Sequence, residues 1–220
     1  LEADLLERIA IGNDLNPYAH TVAKGKFDRK EINQVIRQLD KIEIDISKVD
    51  LSGCSDFMKQ FYHPETLKEI LFFLELLKKR RNFFLLGCLL GIIHGHRPGH
   101  LSAITSLVIP YLPRTKPEYK EVLPRLKQKV KRMYLNEFPI KTNGQIFKKN
   151  AKKLPLKNSS VDVVISSPPY FNTLDYVADN KLRNEFMGIS EEKKGKLKSS
   201  LIQRNPTYIE EMLEVGKEMK

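Results

Sequence analysis

An aromatic residue follows two prolines at Pro168-Pro169-Tyr170, directly after the apolar run 161–165 and two serines. This β-branched run predicts a buried parallel strand, and the prolines, which lack a backbone N–H, must end its pairing. The carbonyl groups of Ser167 and Pro168 are then free at the carboxyl end of the strand, where open α/β sheets bind their ligands. Free acceptors, a hydroxyl group and the flat ring of Tyr170 suit a flipped-out nucleobase with an exocyclic amine.

The surroundings of these residues resemble the amino-methylating DNA methyltransferases, which modify cytosine N4 or adenine N6. In that family the signature is Ser, Asp or Asn followed by Pro-Pro-aromatic, after a short strand, a polar turn and a Leu-Pro pair such as Leu154-Pro155. The resemblance covers roughly residues 144–188. It implies an α/β fold: a Rossmann-like, S-adenosylmethionine-dependent methyltransferase fold, present in part and carrying a mainly helical insertion.

A second match lies at residues 8–17, which predict a strand ending in Asp14 and then the start of a helix. In the methyltransferase fold, the acid that ends the second strand binds the ribose hydroxyls of S-adenosylmethionine, and Asp14 occupies that position. A carboxylate at a strand end can accept hydrogen bonds from two vicinal hydroxyls. The alternative role for Asp14 is to cap the helix that follows it.

A third match is Lys149-Asn150-Ala151, after the expected third strand. The family usually has an Asp there that contacts the adenine amine of the cofactor. The amide oxygen of Asn150 can still accept that hydrogen bond, but without charge assistance. The cofactor-binding residues implied by the resemblance are Asp14, Asn16, Asn150, Ala151 and Ser166.

The resemblance assigns catalysis to Ser167, Pro168, Pro169 and Tyr170. Acceptors at the Ser167 hydroxyl and the Pro168 carbonyl would pull the amine toward tetrahedral geometry and localise its lone pair for in-line attack on the cofactor's methyl group. Stacking of the extruded base on Tyr170 would add about 1–3 kcal/mol. Serine at the first signature position favours cytosine N4 as the target over adenine N6.

The sequence also bears on other classes of methyltransferase and on a non-enzymatic role. A C5-cytosine methyltransferase needs a nucleophilic Cys after Pro, and both Cys54 and Cys88 follow glycine, so that class is excluded. Methylation of RNA or of a protein amine shares the Pro-Pro-Tyr chemistry and stays open. A non-enzymatic alternative is a basic DNA-binding remnant of a methyltransferase that lost its cofactor loop.

The matches divide the chain into three regions: the start of the methyltransferase core at 1–27, a helical insertion at 28–140 that serves as the target-recognition region, and the rest of the core at 141–220. In the insertion, an Asp28/Glu31 capping pair predicts a helix that runs to Ile42. Its expected apolar stripe is Ile32, Val35, Ile36 and Leu39.

Two further features of the insertion predict helix packing. Pro64 opens a helix with a stripe that consists of Leu67, Ile70, Leu71, Leu74 and Leu77. Gly87, Gly91 and Gly95 then recur at four-residue spacing, which would let another backbone approach one helix face closely.

Two parts of the insertion are candidate DNA contacts. The first is the glycine-rich cationic loop 94–102, which contains His96 and Arg97. Its three histidines suggest a metal, but no acid or cysteine accompanies them, so contact with phosphate, or packing over the cofactor pocket, is favoured over a metal site. The second is segment 114–132, with eight basic and two acidic residues. There Pro117 is expected to start a helix that places Lys127 and Lys131 near Lys120 on one side, either for phosphate binding or as a solvated face.

The composition agrees with a double-stranded DNA partner that presents a flipped base, because the formal net charge is +11. The cysteines Cys54 and Cys88 form no disulfide framework, so a reducing cytoplasm is expected. No signal peptide is visible at the amino terminus. The longest apolar run, 83–93, is too short for a bilayer, which needs about 20 residues, so no membrane partner is expected. Restriction–modification is a further context of the family, but no residue indicates an endonuclease partner.

The glycine-rich loop and first strand of the fold are expected before residue 1, and strands five to seven after residue 220. We therefore interpret the chain as the middle of a longer methyltransferase. The missing loop is the part that holds the methionine end of the cofactor. The 220 residues alone are accordingly expected to bind S-adenosylmethionine very weakly and to be inactive.

Overall fold

The computed structural model describes residues 2–106, 112–135, 144–168, 170, 175–189, 191–202 and 206–220. Within these ranges the strands are β1 (Ile11–Asn13) and β2 (Gln145–Phe147). The helices of the same ranges are α1 (Glu2–Leu5), α2 (Pro17–Phe27), α3 (Ile32–Asp40), α4 (Asp56–Lys59), α5 (Pro64–Lys79), α6 (Phe83–Leu90), α7 (Val122–Met133), α8 (Tyr176–Asp179), α9 (Lys181–Phe186), α10 (Glu191–Ser200) and α11 (Tyr208–Glu218).

The hydrophobic core lies in the helical part of the chain, where α3, α5, α6, α7 and α9 pack together. α5 begins at Pro64 as predicted, and His63 caps it by accepting from the Glu65 N–H through Nδ1. Its buried stripe contains Leu67, Ile70, Leu74 and Leu77. Each such side chain stabilises the fold by roughly 1.5–3 kcal/mol on burial. The predicted helical character of the insertion is therefore confirmed for α5.

α6 is buried on most of its circumference, as an apolar helix at the centre of a fold must be. α2 packs closely on it, because two glycines remove side chains from the interface. A Cβ atom at Gly87 would lie 3.5 Å from the Cα atom of Val22, and one at Gly25 would lie 2.6 Å from the carbonyl oxygen of Phe83. The close approach predicted for the glycine series is confirmed at Gly87. At Gly95 the neighbour is the ring of His100 instead of another backbone.

Two predicted helix starts are wrong. α3 begins at Ile32, where Glu31 is the N-cap without a side-chain hydrogen bond, while Asp28 ends α2. The expected capping pair does not form because Asp28 belongs to the preceding helix. The apolar stripe predicted for α3 is nevertheless present, with Val35 and Leu39 buried.

The start of α7 is at Val122, after Pro117, because α5 holds the intervening residues in a non-helical conformation. The buried carboxylate of Glu69 accepts from the Val122 N–H at 2.8 Å and from the Tyr119 hydroxyl at 2.6 Å. This hydrogen bond to Glu69 raises the pKa of Tyr119 to about 12. The Thr66 hydroxyl accepts from the Lys120 N–H at 2.8 Å. A side chain of another helix thus sets the N-terminus of α7.

β1 and β2 pair in parallel, with Ile11 opposite Gln145 and Asn13 opposite Phe147. The predicted buried strand at 161–165 is wrong: the segment has no strand, and its side chains are exposed, with Ile165 at 93%. A strand is stable only when a neighbour takes up its backbone hydrogen bonds. The described residues provide no third strand beside this segment, and its backbone groups bond to no other described backbone group.

The residues that follow the Pro-Pro-Tyr signature return to the helical core. Leu182 and Phe186 of α9 are buried there, and Arg183 donates to the carbonyl groups of Leu90 and His94. Among the described helices, none has the length and apolarity needed to cross a bilayer.

The close α2–α6 contact requires a residue without a side chain at Gly25. Gly25→Ala should lower the free energy of unfolding by about 1–3 kcal/mol, because the added Cβ meets backbone atoms of Phe83 and Phe84 that cannot rotate away. The matched control is Gly216→Ala in α11, where nothing lies within 4 Å of the added Cβ. It should raise stability by about 0.5–1 kcal/mol, because alanine favours a helix. Chemical denaturation measures both, and equal effects of the two variants would contradict the close packing.

Candidate functional site

The carboxyl ends of β1 and β2 lie at the same edge, because the strands are parallel. The Asp14 N–H donates to the Phe147 carbonyl at 3.1 Å and so continues the ladder one residue beyond β1. The Asn13 amide then bridges to Lys149: its Nδ2 donates to the Lys149 carbonyl at 3.0 Å, and its Oδ1 accepts from the Lys149 N–H at 3.1 Å. Asp14 and Asn150, each one residue further along, are therefore brought together as neighbours at one edge.

Asp14 is a half-buried carboxylate with part of its bonding capacity in use. Oδ1 accepts from the Asn16 N–H at 2.8 Å, and no described residue donates to Oδ2. Burial raises the pKa of Asp14, while the Asn16 N–H and the charge of His20 oppose this rise. The helix cap is Asn16 itself, whose side chain accepts from the Tyr18 N–H at 2.9 Å. The alternative capping role of Asp14 is thus filled by its neighbour, and Oδ2 is available to a ligand.

Asn150 and Ala151 form the turn after β2. The Asn150 Oδ1 atom accepts from the Lys152 N–H at 3.0 Å. A carbonyl oxygen has a second lone pair, so Asn150 retains one acceptor position. The side chain of Asn150 is exposed and that of Ala151 is half-buried.

Residues that the sequence interpretation missed fix this turn from α11. Lys152 Nζ lies 3.0 Å from both Glu211 and Glu214, and Glu218 accepts from the Leu154 N–H at 2.6 Å. Hydrogen bonds to Glu214 and Glu211 raise the pKa of Lys152. The available signal was the spacing of these three acids, which places them on one face of a helix.

His20 was also missed. It lies in the first turns of α2, and its electrostatic attraction lowers the pKa of Asp14. Burial, followed by the nearby charge of Lys148, lowers the pKa of His20 itself. The site at the strand ends is therefore an acid flanked by a histidine and by lysines after β2.

The predicted catalytic residues are exposed and separate from this edge. Ser166, Ser167 and Pro168 are exposed, and the Tyr170 side chain has 62% of its surface accessible. Pro169 lies outside the described residues. No hydrogen bond joins the described part of 161–170 to the ends of β1 and β2. The structure therefore brings together Asp14, Asn16, Asn150 and Ala151 of the residues expected to bind the cofactor, but neither Ser166 nor the residues expected to bind the base.

The predicted DNA contacts divide into free and engaged cations. His96 and Arg97 are exposed in their loop, and Lys131 is exposed on α7. Lys127 pairs with Asp40 of α3 at 2.6 Å. Lys120 lies before the helix, where its Nζ donates to the carbonyl groups of two residues, His100 at 2.9 Å and Ser102 at 2.6 Å. The expected row of three lysines on α7 is therefore wrong.

The described histidines, cysteines and acids include no group of three that could hold a metal ion. No protein-family model, curated protein or solved structure gives a significant match to this chain.

The environment of Asp14 predicts an unusual pH dependence. Because its folded pKa is raised, the ionised carboxylate lowers stability at neutral pH; this penalty decreases as the pH falls through the folded pKa and is gone below the unfolded value. Asp14→Asn should therefore raise the melting temperature at neutral pH, and the gain should shrink toward pH 3.8, the ordinary value for the group. Thermal denaturation across this range measures the effect.

The control is Asp45→Asn, the same substitution at an exposed site. Hydrogen bonds from Ser47 lower the pKa of Asp45, so its ionised form adds stability at neutral pH that is lost as the pH falls. Asp45→Asn should not raise the melting temperature at neutral pH. A gain of the same size in both variants would show that burial of Asp14 is not the cause.

Proposed function

We propose that the protein is an S-adenosylmethionine-dependent DNA methyltransferase that acts on an exocyclic amine, with cytosine N4 as the favoured target. The observation that carries the proposal is the parallel pairing of β1 and β2. It sets Asp14 and Asn150 side by side at the carboxyl edge of the two strands. An acid at the end of one parallel strand and an acceptor at the end of the next are what a nucleoside cofactor requires at such an edge.

The residues at this edge fit the nucleoside part of the cofactor. Asp14 Oδ2 is free to accept from the ribose hydroxyls, and the second lone pair of Asn150 Oδ1 is free to accept from the adenine amine. When bound, S-adenosylmethionine supplies an electrophilic methyl group. The capped N-terminus of α2 fixes Asn16 beside Asp14 and so keeps the acid in place.

The base-binding role is assigned to Ser167, Pro168 and Tyr170. The Ser167 hydroxyl and the Pro168 carbonyl accept from the target amine and localise its lone pair, so that catalysis consists mainly of positioning and electrostatics. The exposed ring of Tyr170 offers a face for the extruded base. Because 161–165 is unpaired, we expect methyl transfer only in a form of the protein in which this segment pairs with another strand.

A second candidate is DNA binding without catalysis. The exposure of 161–168 and the net charge of +11 favour it. The two candidates differ in one result: tight DNA binding by the full-length protein with no methylated product supports the second and contradicts the first. The presence of Cys54 and Cys88 as free thiols agrees with a cytoplasmic location, which we include in the proposal.

The test of base stacking is Tyr170→Ala in the full-length protein. Loss of about 1–3 kcal/mol of stacking should reduce methyl transfer to duplex DNA about 5- to 150-fold, while cofactor affinity stays unchanged. Tyr170→Phe is the matched control, because it keeps the ring and should keep the rate within a few-fold. Wild-type turnover by Tyr170→Ala would overturn the role of this residue.

The product identifies the target amine. After methylation, DNA is digested to nucleosides and analysed by mass spectrometry. We expect N4-methylcytosine, because serine occupies the first position of the signature. N6-methyladenine would show that the adenine alternative is correct.

A further inference from the structure

A cleft of about 620 Å³ opens between the α2–α3 connection and the turn from α5 to α6. It contains none of the residues assigned above to the cofactor or the base. Its floor is apolar and includes Leu77 and Leu85. Among the described residues its walls carry four cations and one acid, Asp28; the cations are Arg29, Lys30, Arg80 and Arg81.

The described lining of this cleft carries more positive charge than negative charge. The acid of the cleft, Asp28, pairs through Oδ1 with Nζ of Lys24 at 3.8 Å, and Lys24 does not line the cleft. Neither Lys30, Arg80 nor Arg81 forms an ion pair with any acid in the described part of the chain. By contrast, Lys127 is paired with an acid. Like charges in one cleft repel each other, so an anion in the cleft would stabilise the protein.

Packing holds one wall of the cleft in place. The guanidinium of Arg29 lies over the Tyr134 ring, 4.3 Å from its centroid. The Tyr134 hydroxyl donates to the Lys30 carbonyl, and the Tyr134 ring makes an edge contact with Phe84 at 5.6 Å. Arg29 and Lys30 are therefore positioned by α7 and α6, which lowers the entropy cost of binding.

The opposite wall contains a strained arginine. α5 ends in a Schellman turn, in which the Arg81 N–H bonds to the Lys78 carbonyl and the Asn82 N–H to the Leu77 carbonyl, both at 3.0 Å. Arg81 is the left-handed residue of this turn, with φ of 50°. Glycine is the usual residue there, and a side chain in this conformation costs on the order of 1–3 kcal/mol. The turn would be more stable with glycine, so the arginine carries a cost to folding.

We propose that this cleft binds backbone phosphates of DNA. Arginine forks match phosphate oxygens in two-point hydrogen bonds, and the concave shape admits the ridge of a sugar-phosphate backbone but not a flat lipid surface. The identification of the ligand as DNA rests on the proposed function, whereas the presence of an anion site rests on the shape and charge of the cleft. It lies on the helical region predicted to recognise DNA, but on residues different from His96, Arg97, Lys127 and Lys131.

The test is the salt dependence of duplex binding by the 220-residue chain. Binding is measured by the fluorescence anisotropy of a labelled duplex. In Arg80→Gln/Arg81→Gly, the slope of log K against log salt should fall by about two, and affinity at about 0.1 M salt should fall on the order of tenfold or more. The control is Lys48→Gln/Lys217→Gln, which removes the same charge from exposed residues outside the cleft. Its slope should stay near that of wild type, and equal losses in both variants would overturn the cleft assignment.

Arg81→Gly alone separates binding from folding. Its melting temperature should equal or exceed that of wild type, because the glycine relieves the strained φ, while its salt slope falls by about one. A lower melting temperature together with unchanged DNA binding would overturn the proposal. Tripolyphosphate is the second probe: if the double variant loses affinity for tripolyphosphate but keeps the DNA affinity and salt slope of wild type, the ligand of the cleft is a free polyphosphate and the proposal is wrong.

These outcomes are distinct from those that test methyl transfer. If the slopes change as expected but the full-length protein forms no methylated product, the cleft stands and the enzymatic function fails. If methylation proceeds while the double variant binds DNA as wild type does, the enzymatic function stands and the cleft fails.

Discussion

The packing of α2 against α6 holds the strand edge and the cationic cleft in one frame. Gly25 and Gly87 let the two helices approach until backbone meets backbone. The N-terminus of α2 follows Asp14, and its C-terminus leads into Arg29. The N-terminus of α6 follows Arg81 and carries Phe83, which lines the cleft and contacts Gly25. This contact therefore links both the strand edge and the α2–α3 connection to the core.

Most of the helical structure could be predicted from local signals, and the exceptions have non-local causes. Pro64 marks the start of α5 because a proline at the first helical position loses no hydrogen bond. The start of α7 was misplaced because its capping group, Glu69, lies about 50 residues earlier in another helix. Nothing in the sequence near Pro117 records that contact. The spacing of apolar residues in α3 was informative even where the expected cap was not.

In the candidate site too, the features set by local sequence could be predicted and those set by distant contacts could not. The ends of β1 and β2 could be predicted because short apolar segments followed by polar turns define them, and parallel pairing then sets Asp14 beside Asn150. The run 161–165 has the composition of a buried strand but is exposed. Composition reports the ability to form a strand, while pairing depends on a neighbour that the run itself cannot specify. The cationic cleft escaped prediction because Arg29 and Arg81 are far apart in sequence and approach only through packing.

The length of α2 gives the molecule a fixed internal distance. At 1.5 Å per residue, its 11 residues span about 16 Å. The acid that would hold the cofactor and the arginines of the cleft lie beyond opposite ends of this rod. Along duplex DNA, whose axis rises about 3.4 Å per base pair, the same span corresponds to about five base pairs. A duplex seated in the cleft would thus lie at a distance from the proposed cofactor site that is set by the number of helical turns in α2, so lengthening or shortening this helix would change the separation between the two.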